Sequence, residues 1–146
     1  MHSPISWVLN EKGHVVHTIS PAATVCEAVR GMRTHGIGCL VVTEAGRVVG
    51  LIAERDVLMR CIAAGREARY TPVRDVMTTD PPMLRPDSTV GDAMTAMTDR
   101  RTRHLPVVNG DDLLGLVSIG DLTRWMTRHL QGQVRSLESY IQGAYA

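Results

Sequence analysis

The stretch from Pro21 to Asp56, PAATVCEAVRGMRTHGIGCLVVTEAGRVVGLIAERD, returns from Pro86 to Asp121 as PDSTVGDAMTAMTDRRTRHLPVVNGDDLLGLVSIGD. A shift of 65 positions, without a gap, aligns ten identities: Pro21/Pro86, Thr24/Thr89, Val25/Val90, Ala28/Ala93, Met32/Met97, Leu40/Leu105, Val42/Val107, Gly50/Gly115, Leu51/Leu116 and Asp56/Asp121. Conservative pairs fill in between, among them Glu27/Asp92, Val48/Leu113, Val49/Leu114, Ile52/Val117 and Val57/Leu122. A fixed period of this kind is a tandem duplication, in which two half-size units share one core.

Each copy carries the same local signals. Thr24 and Thr89 follow a proline and stand three residues before Glu27 and Asp92, the spacing of a capping box at a helix start. Val25, Ala28, Val29 and Met32, and likewise Val90, Ala93, Met94 and Met97, then recur at helical spacing. Short aliphatic runs follow at Cys39 to Thr43 and Leu105 to Val108, and again at Val48 to Ala53 and Leu113 to Ser118. Glu44-Ala45-Gly46 and Asn109-Gly110-Asp111-Asp112 separate them with turn residues, so each copy reads as a strand hairpin. Helical residues follow Asp56 and Asp121. The fold class is therefore α/β, with two β-α-β-β-α units.

The boundaries expected from this pattern are a first unit over 8–66, a linker over 67–80, a second unit over 81–130 and a C-terminal helical segment over 131–146. The linker reads as one short helical turn closed by Asp80-Pro81-Pro82. In the last segment Leu130, Val134, Leu137 and Ile141 form one apolar seam, expected to pack on the body or on a twin chain.

Composition excludes several classes. With 44% hydrophobic and 21% charged residues the chain has the material for a packed core. A net charge of +1, few aromatic residues and no RNA or DNA motif argue against a nucleic-acid partner. No apolar stretch approaches the roughly 18 residues of a membrane span, and no signal peptide is visible at the N-terminus, so a cytoplasmic location is expected. Cys26, Cys39 and Cys61 are odd in number and lack metal-ligand spacing, which fits a reducing compartment. Glu11, His14 and His17 are spaced by three but fall on an extended stretch, which does not gather them on one face, so no metal is expected. No Ser-His-Asp set, carboxylate pair or phosphate-cradling glycine loop can be assembled, and no catalytic residue is assigned.

Arg103-His104-Leu105-Pro106-Val107-Val108 with Gly115-Leu116-Val117-Ser118-Ile119-Gly120-Asp121-Leu122 resembles the core signature of cystathionine-β-synthase (CBS) domains. Ile37-Gly38-Cys39-Leu40-Val41-Val42 and Gly50-Leu51-Ile52-Ala53-Glu54-Arg55-Asp56-Val57 resemble it in the first copy. The resemblance implies a pseudo-twofold pair of units with sheets packed together, two clefts for an adenine ligand (AMP, ADP, ATP, NAD or S-adenosylmethionine) and frequent homodimers.

By that resemblance one cleft is built on Asp121, with Ser118, Ile119 and Gly120, facing His17 and the backbone of Ile37, Gly38 and Cys39 in the opposite repeat. A carboxylate at Asp121 either caps the helix that begins there or accepts two hydrogen bonds from a ribose diol. Gly38, lacking a Cβ, lets an adenine ring approach the chain. Cys39 lies in the same segment, so its oxidation or alkylation is expected to alter affinity. The second cleft is built on Asp56, with Arg55, Met83, Thr102, Arg103 and His104. It is expected to be weaker, because Ala53 stands where Ser118 supplies a hydroxyl.

The function these features imply is a regulatory adenine-nucleotide sensor. It changes conformation or assembly on binding and acts on an effector protein, since no catalytic domain accompanies the repeats. The alternative is an interaction scaffold with vestigial clefts, its working surface the C-terminal seam.

Overall fold

The computed structural model describes residues 1–144. Its elements are α1 (Ile5–Lys12), β1 (Thr18–Ile19), α2 (Val25–His35), β2 (Cys39–Glu44), β3 (Arg47–Ala53), α3 (Glu54–Asp56), β4 (Thr78–Thr79), α4 (Val90–Arg100), β5 (His104–Asn109), β6 (Asp112–Ser118) and α5 (Ile119–Ala144). A π-helix over Val57–Ile62 continues α3, and a 3₁₀ turn over Val73–Asp75 precedes β4.

Both capping boxes form. Thr24 Oγ1 accepts from the Glu27 N–H while Glu27 Oε2 accepts from the Thr24 N–H, and Thr89 and Asp92 repeat the exchange at α4. The hairpins share one register. Val42 opposes Gly50 and Val107 opposes Gly115, and in both the next pairing skips a residue, Val49 or Leu114. The β2–β3 turn has positive φ at Ala45 and Gly46, and the β5–β6 turn only at Gly110, so the twist is made by related but different tight turns.

The second half of each repeat differs. In the first, the helix after β3 widens to the i→i+5 pattern, with Ala63 N–H bonded to Leu58 O and Arg66 N–H to Cys61 O, and Val57 and Cys61 both face the core. In the second, α5 runs 26 residues without a break. The expected boundary at residue 130 therefore falls inside one helix. Leu130, Val134, Leu137 and Ile141 are each more than half exposed on it.

The ends of the repeats are exchanged along the chain. Ile5, Val8 and Leu9 of α1 are buried with Val90, Ala93, Leu105 and Val117, inside the second repeat. Val73 and Val76, in the segment expected as a linker, are buried with Val25, Ala28 and Ile52 of the first, and β4 pairs with β3. The backbone bonds are equivalent. Val73 N–H donates to Ala23 O and Val25 N–H to Thr71 O, while Ile5 N–H donates to Ser88 O and Val90 N–H to Ser3 O. Each repeat is thus completed by the segment that precedes the other one in sequence, and the two meet where Cys39, Val41 and Leu51 are buried against Leu113 and Leu116.

Candidate functional site

Asp121 lies in the first turn of α5. Its Oδ2 accepts from the Ser118 N–H at 2.8 Å, and its own N–H donates to Ser118 Oγ at 3.1 Å, so the pair closes the helix start reciprocally. The side chain is only 11% exposed, and Oδ2 also accepts from Lys12 Nζ while an Arg124 guanidinium nitrogen stands 3.5 Å from Oδ1. Burial pushes this carboxyl up, but the Lys12 hydrogen bond, the Ser118 N–H, the Lys12 charge and the Ser118 hydroxyl outweigh it and hold it below the usual carboxylate range. Lys12, Asp121, Glu11, Arg124, Trp125 and Arg128 surround a cavity of about 300 Å³.

Asp56 is set differently. Oδ2 accepts from the Ala53 N–H at 2.9 Å and Oδ1 from the Thr78 hydroxyl at 3.0 Å, so both oxygens are engaged by neutral groups of its own repeat.

Between the repeats lies a cavity of about 710 Å³, a size typical of small-molecule sites. Gly38, Ala53, Glu54, Arg55 and Leu58 line it from the first repeat, and Met97, Thr98, Arg101, Thr102, Arg103 and His104 from the second. Three guanidinium groups against the single carboxylate of Glu54 leave its rim cationic. His104 is held below the ordinary imidazole range, first by burial and then by Lys12, with Arg103 adding and Asp121 and Glu54 opposing.

Residues 8–62 and 73–128 each match the family model for the CBS domain. The chain belongs to the CBS-domain family. It is 39% identical over 127 residues to the mitochondrial CBS domain-containing protein CBSX3 of Arabidopsis thaliana, covering 84% of this chain and 62% of that protein's length. A CBS-domain crystal structure superposes with a TM-score of 0.82 at 33% identity, over 86% of this chain and 98% of the other. A putative signal-transduction protein with CBS domains from Burkholderia ambifaria superposes with a TM-score of 0.81 at 31% identity, over 85% of this chain and 93% of the other. Tandem CBS proteins are a generally regulatory, ligand-binding family.

Within this CBS pair the residues singled out from sequence are divided among several places. Arg55, Thr102, Arg103 and His104 share the large cavity, and Gly38, expected opposite Asp121, lines it with them. There a Cβ on Gly38 would come 3.1 Å from Glu54 Oε1. Ile37 and Gly38 also border an open groove over Met32, Val57 and Leu58. Ile119 donates its N–H to Arg103 O, and Gly120 is exposed in the first turn of α5. His17 stacks on His35 with ring centroids 3.6 Å apart, and Met83 is an exposed side chain. Glu11, His14 and His17 go to different partners: Glu11 pairs with Arg128, and His14 lies between Asn10 Oδ1 and Leu114 O.

Cys39 is buried between the sheets, and that burial, followed by the charge of Asp56, pushes its thiol up to about 12. The expectation that its modification tunes affinity meets a physical obstacle, because a protonated and enclosed thiol reacts slowly.

Arg101, which the sequence reads with Arg100 as part of a solvated loop, lines the large cavity, and Lys12 was not singled out from sequence. A signal for Lys12 exists. Ser3-Pro4-Ile5-Ser6-Trp7-Val8-Leu9 parallels Thr71-Pro72-Val73-Arg74-Asp75-Val76-Met77, at a shift of 68 rather than 65, and Lys12 ends the helix that this segment begins.

Proposed function

We propose that this CBS pair is a regulatory sensor of an adenine nucleotide, bound between the repeats, that acts on a partner protein by altering the set of the repeats or the pairing of two chains. The observation that carries the reading is the 710 Å³ cavity shared by both repeats, lined by Arg55, Arg101 and Arg103 together with Thr102, Met97 and Leu58. An adenine ring needs an apolar wall, and phosphates are met by guanidinium forks.

We assign phosphates in this cleft to Arg55, Arg101, Arg103 and His104, and a ribose in the other cleft to Asp121 with Ser118. AMP, ADP, ATP, NAD and S-adenosylmethionine are the ligand candidates, the chain acts without catalysis, and its location is cytoplasmic. Among the described residues no helix is long and apolar enough to cross a membrane.

Calorimetric titration of the full chain with each of these compounds tests the reading. Heat is expected with at least one, weakened about tenfold by Arg103→Ala. No heat with any of them would end the sensor reading. The exposed apolar row on α5 supports a second reading, an interaction scaffold, and that result would leave it standing.

A further inference from the structure

We propose that Lys12 makes the Asp121 cleft selective for ligands that carry negative charge, phosphorylated nucleosides, over adenosine and S-adenosylmethionine. The inference rests on the assignment of a ribose to Asp121.

The Lys12 ammonium donates to Asp121 Oδ2 and to the backbone carbonyl of Leu116. It is not a surface side chain resting there by chance. Ile5, Val8 and Leu9 bury α1 in the second repeat, its backbone is tied to Ser88 O and Pro86 O, and Glu11 pairs with Arg128. The helix end that carries Lys12 is thereby held beside α5. Arg124 adds a second cation, 3.5 Å from Oδ1.

A ribose diol donates two hydrogen bonds and needs the oxygens of Asp121 as acceptors, so it must displace the ammonium from Oδ2. Lys12 then keeps only the Leu116 carbonyl as an acceptor, while Asp121 stays ionised and Arg124 stays beside it. A part-buried cation without a partner is costly. A phosphate on the same ligand replaces what the carboxylate supplied. Adenosine has no charge to offer, and S-adenosylmethionine is net positive, with a sulfonium next to the ribose that both cations repel and a carboxylate already accompanied by its own α-ammonium. In the first repeat the corresponding group on Asp56 is the neutral Thr78 hydroxyl.

The test is titration of the full chain with AMP, adenosine and S-adenosylmethionine, on the wild type, Lys12→Gln, Lys12→Arg and Asp121→Asn. Gln keeps a hydrogen-bond donor for Asp121 but no charge, and Arg keeps the charge. The wild type is expected to prefer AMP to both other compounds by about tenfold or more, a preference that Lys12→Gln reduces to about threefold and Lys12→Arg retains. In the Asp121→Asn background, where Lys12 lacks its counter-charge before any ligand arrives, all three affinities should fall, and changing Lys12 to Gln should still lower the preference for AMP. A wild type that takes S-adenosylmethionine or adenosine as tightly as AMP overturns the proposal, as does a preference unmoved by Lys12→Gln. Silence with all three compounds overturns this selection, and silence with ADP, ATP and NAD as well removes the sensor reading itself, whereas binding with an unmoved ratio removes the selection alone.

Discussion

Arg101 closes α4 in the left-handed backbone conformation, φ +51°, that Gly36 adopts at the end of α2 with φ +63°. The two residues occupy the same place in the duplicated unit, 65 positions apart. A residue with a Cβ is strained there, by about 1–2 kcal/mol, and Gly is not. Arg101 also lines the large cavity, where its guanidinium adds to those of Arg55 and Arg103. Strain held at a binding wall is a recurrent sign of function.

Arg101→Gly should therefore raise stability and lower affinity together. The expected gain is about 0.5–1 kcal/mol once the greater freedom of Gly in the unfolded chain is set against the relieved strain. A urea melt would show a higher midpoint with unchanged slope, and titration of a phosphorylated adenine ligand would show weaker binding.

The exchanged N-terminal segment gives a sharp contrast between neighbours. Ile5 is fully buried in the core of the second repeat, while Trp7, two residues on, is more than half exposed. Ile5→Ala should cost about 2–4 kcal/mol and Trp7→Ala under about 1, measured by thermal or denaturant unfolding. Equal costs would mean that α1 does not complete that core.

Gly50 and Gly115 sit opposite Val42 and Val107 at the hairpin irregularity, each with the exchanged segment of its repeat pressed on it. A Cβ on Gly50 would lie 2.7 Å from Met77 Sδ and 2.8 Å from the backbone oxygen of Thr78, and on Gly115 2.6 Å from Leu9 Cδ2. A backbone oxygen in a paired strand yields less than a side chain. Gly50→Ala should thus be the more damaging, by about 1–3 kcal/mol, and should raise amide exchange at Thr78 and Thr79.

His104 predicts a pH dependence. Its folded pKa lies below the unfolded value of about 6.5. The unfolded chain therefore binds this proton first. The stability linked to the neutral ring is complete above about pH 6.5, declines as pH falls from there towards the folded pKa, and changes no further below it. The wild-type melting temperature should fall between pH 7.5 and 5.5 by more than that of His104→Gln. Asp121, lowered from the carboxylate range, contributes stability above about pH 3.9 that is lost as pH falls through its folded pKa, outside this window.

The seam on α5 is an exposed apolar row. Leu130, Val134, Leu137 and Ile141 are 52–62% exposed, and a helix segment of this length without tertiary packing is marginal in water. The full chain is expected to sediment as a dimer and a chain ended before Gln131 as a monomer. An unchanged dimer would place the interface elsewhere, on the body of the repeats.

The resemblance to the CBS family rests on features with local causes. Thr24 with Glu27 and Thr89 with Asp92 start helices through contacts three residues apart, and the aliphatic runs with their turn residues make hairpins. Thr102, Arg103 and His104 were expected at a cleft by the resemblance, and they line the large cavity. Asp121 was legible as both cap and acceptor, and its cap is formed.

By itself, then, the sequence determined the duplication, the order of elements in each unit and the family, because spacing of about 2 or 3.6 residues and neighbours within one turn carry that information. Only the tertiary structure decided which segment completes which repeat, since α1 reaches the second core across the whole of the first. It also set Lys12 on Asp121, 109 positions away, and enclosed the Cys39 thiol between the sheets. No local period encodes these relationships. They arise when two folded units bury their apolar faces together, and the charges near that seam must then find partners among whatever the packing brings within reach.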